Sequence, residues 1–372
     1  MPDVADVSQD DRTWLERARV LAREGWGRVH PNPLVGCVIV RDGEVVGEGF
    51  HADFGGPHAE IVALEAARSR AAGATVYVSL EPCNHQGKTP PCADALVEAG
   101  VERVVYGAPD PGEASGGGGA TLAAAGIAVS GPIWAPERSR AENPAFHHLS
   151  RHETPYIALK LAMSLDARCA ARPGVRTRIT GPEADREVHR LRSGFDAVMV
   201  GAGTVRADDP KLTVRLAPTG PVPPRRILLV PDAEIAEDAA VFADVDDAPL
   251  HVFCSRDASE ARMERLEALG AHVHPVPGDR GGLDLHAVSA RCHEIGLRAI
   301  LCEGGPRLAA SLLREGRVQR FMLLLAPHTL GEDALPAFPA DADQLDWSDF
   351  QSVDDPVRFG RDTLVVLDRR EA

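Results

Sequence analysis

The chain has 372 residues, 44% of them hydrophobic and 26% charged, with a formal net charge of −15. That length points to two domains, and the balance is that of a globular protein rather than a disordered one. The acidic excess argues against a general nucleic-acid binder, which needs a basic footprint, but leaves room for a local basic pocket.

The opening stretch MPDVADVSQDDR is acidic and polar, without the charged-then-apolar order of an export signal. No apolar run approaches the roughly eighteen residues of a membrane span. Seven cysteines, an odd number spread widely, fit reduced thiols and metal binding better than disulfides. The expectation is a cytoplasmic protein with no membrane partner.

Residues 13–25 have helical spacing, with Trp14, Ala18, Leu21 and Ala22 on one side. LVGCVIV (34–40) and EVVGEGF (44–50) flank Arg41-Asp42-Gly43, which predicts a hairpin. A helix over 58–71, a strand over 74–80, a helix over 92–100 ending at Gly100, and strands over 101–108 and 126–130 follow. This alternation predicts an α/β layer structure with partly parallel strands. SGGGG (115–119) reads as a flexible loop, and the polar stretch 136–155, with Pro144 and Pro155, as the boundary. The resulting division is 1–148 and 149–372. The second half carries apolar strands at 156–167, 197–203, 225–230, 250–255, 299–305, 320–327 and 363–368, with helices at 181–193 and 307–316 between them. It is a second α/β domain.

The chemistry is densest at His58-Ala59-Glu60, Pro82-Cys83 and Cys92. One imidazole and two thiolates give three protein ligands for Zn²⁺ and leave the fourth tetrahedral position to water, as a catalytic zinc requires. Glu60, at a helix start, can move a proton between that water and a leaving amine. A helix opening at Cys92 favours its thiolate. His-x-Glu alone is commonly chance; joined to Pro-Cys at a strand end it is the zinc deaminase signature.

Eight residues separate the two cysteines in PCNHQGKTPPC (82–92), where zinc deaminases usually have two. With NPLVGCVIV (32–40) and GEGFHADFGGPHAE (47–60), that expanded form resembles the deaminase domain of the bifunctional riboflavin-biosynthesis deaminase/reductase family. The likeness covers most of 13–130 and departs at DPGEASGGGGATL (110–122). It implies a cytidine-deaminase-like α/β/α domain, with Asn32, His51, Glu60 and Lys88 holding a pyrimidine and its phosphoribosyl arm. From the residues alone, Lys88 is either a phosphate partner or a solvated loop lysine, and Asn32 either reads a base edge or makes a turn. His51 and His85 could equally be structural. Cys37, Cys254 and Cys302 sit in apolar runs and read as core; Cys169 and Cys292 have no evident partner.

In the second half, KLAMSLDA (160–167), GAGTVRADDPKLTVR (201–215) and CEGGPRLAASLL (302–313) resemble the same family's reductase domain, which is dihydrofolate-reductase-like and uses NADPH to turn a ribosyl group into a ribityl chain. No Gly-x-Gly-x-x-Gly follows a strand, so a Rossmann site is not indicated. The resemblance implies NADPH contacts at Ala162, Thr204, Asp208, Gly305 and Pro306, and substrate contacts at Arg192, Leu212, Arg215 and Glu303. It also implies association of copies through the reductase domain. Three departures stand out: Ala167 where the family has Gly, and Arg176 and Arg178 where it has Ser and Trp. Arg178 either meets the 2′-phosphate of NADPH or marks an altered cofactor site. Two other readings remain beside a bifunctional enzyme acting on a small phosphorylated pyrimidine. One is a deaminase with a degenerate or altered-specificity reductase-like domain; the other, a nucleic-acid-editing deaminase, is opposed by the acidic charge and the cysteine spacing.

Overall fold

Ser8 and Asp11 start the first helix. In the computed structural model, which describes residues 7–85, 90–279, 282–338, 347–352 and 354–370, the Ser8 hydroxyl accepts from Asp11 N–H while the Asp11 carboxylate accepts from Ser8 N–H. This capping box opens α1 (Gln9–Ala22), four residues earlier than the apolar spacing alone placed it. Asp11 also accepts from the Tyr77 hydroxyl at 2.8 Å and from Arg103 at 2.9 Å, which ties the helix to the sheet beneath it.

The contacts divide the chain into Met1–Arg151 and His152–Ala372. The first unit runs β1 (Gly36–Arg41), β2 (Glu44–Phe50), α2 (Ala59–Ala67), β3 (Thr75–Leu80), α3 (Cys92–Glu98), β4 (Arg103–Ala108), α4 (Gly118–Ala124), β5 (Ala128–Ser130), α5 (Pro136–Glu142) and α6 (Pro144–Leu149). The sheet order is β2-β1-β3-β4-β5. The β1–β2 hairpin turns through Asp42 and Gly43, both left-handed at φ 53° and 78°, as an Asp-Gly turn favours. β3, β4 and β5 are parallel. Ile39, Ala63, Val78, Leu96, Val104 and Leu122 are among the residues that close the core.

Two segments differ from the sequence reading. The glycines of SGGGG do not form a loose loop; Gly118 and Gly119 open α4. A Cβ on Gly118 would lie 1.8 Å from the Pro82 carbonyl oxygen, so the glycine is there for close approach to the Pro82-Cys83 strand end. The polar stretch after 136 is not a linker at its start, because α5 and α6 lie in the first unit.

The second unit runs β6 (Tyr156–Ser164), β7 (Arg168–Ala170), α7 (Pro182–Ser193), β8 (Ala197–Gly201), α8 (Ala202–Asp208), β9 (Arg225–Leu229), β10 (Leu250–Ser255), α9 (Glu260–Ala268), β11 (His272–Val276), β12 (Gly278–Asp279), β13 (Gly282–Leu283) and α10 (Leu285–Glu294). Then come β14 (Ala299–Cys302), α11 (Pro306–Arg314), β15 (Arg320–Ala326), β16 (Leu335–Pro336), β17 (Phe350–Ser352), β18 (Val357–Phe359) and β19 (Asp362–Arg369). Its main sheet is ordered β11-β10-β9-β8-β14-β6-β15-β19-β17, with β18 on β19. It is parallel from β11 to β15, and β19 joins antiparallel. Near-continuous apolar strands such as AILC at β14 suit a sheet covered on both faces. Arg226 on β9 is fully buried; its guanidinium donates to the carbonyls of Ala248, Val241, Ala243 and Lys211. That holds the 241–248 loop and the chain near Lys211 against the sheet. Cys254, Cys292 and Cys302 are wholly buried core thiols, as is Cys37 in the first unit.

Candidate functional site

In the first unit, the ends of α2, β3 and α3 converge. His58 caps α2 with extended backbone, which leaves its ring outside the helix, and Glu60 follows in the first turn. The helix lies very close to β2: a Cβ on Gly49 would sit 2.6 Å from the Ala59 carbonyl oxygen. Cys83 follows β3, and Cys92 opens α3. His58 Nδ1 is 3.3 Å from Cys92 Sγ and 3.5 Å from Cys83 Sγ, and the three donor atoms lie within 4.8 Å of one another. Two tetrahedral legs of about 2.1 and 2.3 Å place an imidazole nitrogen and a thiolate about 3.6 Å apart, so the donor set fits a zinc ion.

The electrostatics favour the same occupant. Cys92 and His58 draw Cys83 toward the thiolate, while sharing a proton with Cys83 holds Cys92 up as a thiol until a cation replaces it. The Cys92 backbone N–H, at the start of α3, points to Cys83 Sγ at 3.4 Å. Glu60 is 3% exposed, and burial, then the Cys83 thiolate, raises its carboxyl to about 7.

Asn32 and His51 lie beside this set. His51 is 3% exposed, and both ring nitrogens are engaged. Its Nδ1 is 2.9 Å from the Pro57 carbonyl, which can only accept, so Nδ1 carries the proton and Nε2 accepts from Asn32 Nδ2 at 3.1 Å. The Asn32 amide is thereby oriented, with Oδ1 left as an acceptor. His51 therefore stands behind Asn32 as its anchor in this structure. Lys88 lies outside the described residues.

In the second unit a cleft of about 2610 Å³ is lined by Arg178 and by each residue the resemblance implies as a cofactor or substrate contact: Ala162, Arg192, Thr204, Asp208, Leu212, Arg215, Glu303, Gly305 and Pro306; Ala167 is not among its lining residues. Its size exceeds the roughly 300–1,000 Å³ of a single small-ligand pocket, which suits a dinucleotide together with a second ligand. Gly305 caps α11 without a side-chain hydrogen bond, and a Cβ on Gly304 would meet Leu308 at 2.7 Å. The start of α11, whose first-turn N–H groups have no intrahelical acceptor, lines the cleft at Gly304, Gly305 and Pro306. Thr204 approaches Gly305 closely: a Cβ there would be 3.4 Å from its hydroxyl.

The Arg192 guanidinium in this cleft is already engaged: Nε and Nη2 donate to Glu303 at 2.6 and 3.0 Å, and Nη1 donates to Thr213 O at 3.0 Å. Lys160 Nζ is 3.7 Å from the same carboxylate. Burial would raise Glu303, but Arg192 and Lys160 overcome it and hold the carboxyl at about 2. Lys160 escaped the sequence reading; its signal is a lone charge in the apolar run YIALKLAMS. His189 escaped it too. It is 6% exposed, accepts from Arg215 N–H at 3.0 Å through Nδ1, and is pushed down to about 4 by burial, Arg192 and Arg215. Arg215 bonds Thr213 and, like Arg176, stays exposed along the cleft. Arg178 pairs with Asp185 at 2.5 Å. Burial raises Asp208 against the pull of Arg176 and Lys160. Leu212 is 2% exposed with left-handed backbone, φ 58°, so it forms a fixed wall. Cys169, half-buried, also lines the cleft.

Residues 8–108 match the cytidine and deoxycytidylate deaminase zinc-binding region, and residues 155–356 match the RibD C-terminal domain. The riboflavin biosynthesis protein RibD of Aquifex aeolicus is 39% identical over 327 residues, covering 88% of this chain and 89% of the relative. The chain belongs to the RibD family. The RibD structure from Acinetobacter baumannii superposes with a TM-score of 0.80 at 34% identity, covering 98% of this chain and 99% of that one. A diaminohydroxyphosphoribosylaminopyrimidine deaminase/5-amino-6-(5-phosphoribosylamino)uracil reductase from Thermotoga maritima gives 0.79 at 32%, covering 97% and 99%. Like other RibD proteins, this one is a bifunctional deaminase and reductase of riboflavin biosynthesis, with a zinc-binding deaminase domain and an NADPH-dependent type of reductase domain. The match over 155–356 answers the degenerate-domain alternative: nothing in the comparisons favours it. No helix among the described residues is long and apolar enough to cross a membrane.

Proposed function

We propose that residues 1–148 deaminate 2,5-diamino-6-ribosylamino-4(3H)-pyrimidinone 5′-phosphate and that residues 149–372 then reduce its ribosyl group to a ribityl chain with NADPH. The observation that carries the reading is the buried Glu60 beside the three-donor set of His58, Cys83 and Cys92. In the first step water replaces the ring amine and ammonia leaves. His58, Cys83 and Cys92 hold zinc, which when bound is a Lewis acid that makes water nucleophilic at neutral pH. Glu60 takes a proton from the attacking water and delivers it to the departing amine. Asn32 Oδ1 accepts an N–H of the pyrimidine, with His51 fixing its orientation and Lys88 reserved for the phosphate.

The second step adds a hydride to C1′ and a proton to the nitrogen of the opened ribose imine; bound NADPH would be the hydride source and water the proton source. The N–H groups behind Gly305 and Pro306 hold the cofactor's phosphates, with Ala162, Thr204 and Asp208 along its length. Arg178, tethered to Asp185, lies on the cleft wall where a 2′-phosphate would add a second anion to its reach. Arg215 binds the substrate phosphate, Leu212 packs on the substrate, and Arg192 holds Glu303 facing it. We further propose a cytoplasmic enzyme that associates through its reductase unit, where Trp347 and Val357 remain exposed near the β17 and β18 edge. Light scattering reads the mass; a monomer at micromolar concentration contradicts the association.

Glu60→Gln tests the chemistry. Ammonia release should fall by about 10³-fold, with one zinc per chain retained and reduction of the already deaminated pyrimidine unchanged. Near-normal ammonia release by that variant would remove Glu60 from the mechanism.

A further inference from the structure

Asn143 lies between α5 and α6, beyond the matched zinc-binding region and distant in sequence from every residue assigned to the deaminase site. It is 9% exposed. Its Oδ1 accepts from Leu34 N–H at 2.7 Å, and its Nδ2 donates to Leu34 O at 3.0 Å. One side chain thus satisfies both backbone groups of one residue, as a neighbouring strand would. Leu34 precedes β1 and has no strand partner there.

What this fixes can be followed bond by bond. Leu34 is two residues from Asn32. Val35 O, the next carbonyl, accepts from His51 N–H at 2.9 Å. His51 in turn orients the Asn32 amide and takes its own orientation from Pro57 O. Within the chain from Val29 to Val35, Asn32 N–H also donates to Val29 O at 2.8 Å. Two prolines, Pro31 and Pro33, remove the neighbouring donors. Asn143 thus fixes the backbone of Leu34, two residues beyond Asn32, where the segment passes into β1.

We infer that Asn143 is a positioning residue for pyrimidine recognition, acting through Leu34 on Asn32. The inference rests on the deaminase reading of the site. It also assigns a task to the α5–α6 segment, which holds the substrate-facing loop in place. Glu142, the preceding residue, ties the same segment to α1 through Arg19 at 3.3 Å, so the anchor is itself anchored.

The test is a double-mutant cycle on the zinc-loaded full-length chain with Asn143→Ala, Asn32→Ala and both together. Asn143→Ala should raise the deaminase KM about tenfold and lower kcat less, with zinc content and reduction of the pre-deaminated pyrimidine unchanged. In the Asn32→Ala background, Asn143→Ala should add little, because its effect passes through Asn32. Full additivity would overturn the proposal, as would unchanged KM in the single variant. Asn143→Asp keeps the acceptor for Leu34 N–H but sets a carboxylate oxygen against Leu34 O, and should fall between the two. Should Asn143→Ala fail to fold, hydrogen exchange at Leu34 N–H in Asn143→Ser, whose hydroxyl is too short to replace the amide, decides: exchange as slow as in the unaltered chain would overturn the role. An unaltered chain that releases no ammonia would strike the functional reading instead, and the exchange measurement would still judge the anchor.

Discussion

Arg192 closes both arms of its guanidinium on the Glu303 carboxylate inside the reductase cleft, at 2.6 and 3.0 Å. The pair is nearly dry, with side chains 11% and 9% exposed. Removing one partner of such a pair strands the other charge, at a cost of about 3–5 kcal/mol. Arg192→Met should therefore destabilise the second unit by that order and cut reduction about 10²-fold, leaving ammonia release by the first unit at its original rate. Glu303 is depressed to about 2 from an ordinary 4.5, so its stabilisation is complete above 4.5 and is lost as pH falls toward 2. Denaturation of the variant should lack that acid-side loss; an unchanged profile would mean that the pair contributes nothing.

A second pH response runs through two histidines on neighbouring strands. Arg291 Nε–H donates to His274 Nδ1 at 3.4 Å, so His274 carries its proton on Nε2 and donates to His251 Nδ1 at 3.0 Å. His251 must then bear its proton on Nε2, which is buried without a partner. Burial, with Arg291, His272 and Arg225 nearby, pushes His251 down to about 3 and His274 to about 4. Both fall below the ordinary 6.5, so the unfolded chain binds more protons and stability drops as pH falls from 6.5 toward 4. Each histidine contributes up to about 1.4 kcal/mol per pH unit. Urea midpoints at pH 7.0, 5.5 and 4.5 should fall more steeply for the natural chain than for His251→Phe/His274→Leu; parallel slopes would refute the account.

Ala167 adopts φ 55°, a left-handed conformation that an L-residue with a Cβ resists. The turn is held regardless: Ser164 bonds Asp166 at 2.5 Å, Asp166 accepts from Gly331 N–H at 2.8 Å, and Ala337 N–H donates to Ala167 O. Ala167→Gly should stabilise the second unit by about 1 kcal/mol with the reductase unchanged. A lower denaturation midpoint would mean that the alanine methyl earns more in packing than it costs in strain.

The sequence discloses these features unevenly. The convergence of His58, Cys83 and Cys92 is legible because the ligand residue types are few and each sits at the end of a strongly patterned element. The Asp42-Gly43 hairpin is legible because two consecutive left-handed residues leave few choices of side chain. Apolar spacing does not mark the start of α1; the capping pair Ser8-x-x-Asp11 does. Helix α4 is hidden for a different reason: a run of glycines reads as freedom, whereas Gly118 is required by contact with Pro82. The Arg192–Glu303 pair and the Asn143–Leu34 anchor join residues more than a hundred positions apart. No local pattern reports such a pairing, so the sequence alone does not show that Arg192 and Glu303 are partners.

The central claim is that one chain carries two consecutive reactions. Mass spectrometry of the products from the diaminopyrimidine ribosyl phosphate, with and without NADPH, tests it directly. Deamination alone without NADPH, and deamination plus addition of two hydrogens with it, is the predicted result. Deamination in both tubes with no reduced product would contradict it, and would turn attention to Arg176 and Arg178 on the cleft wall.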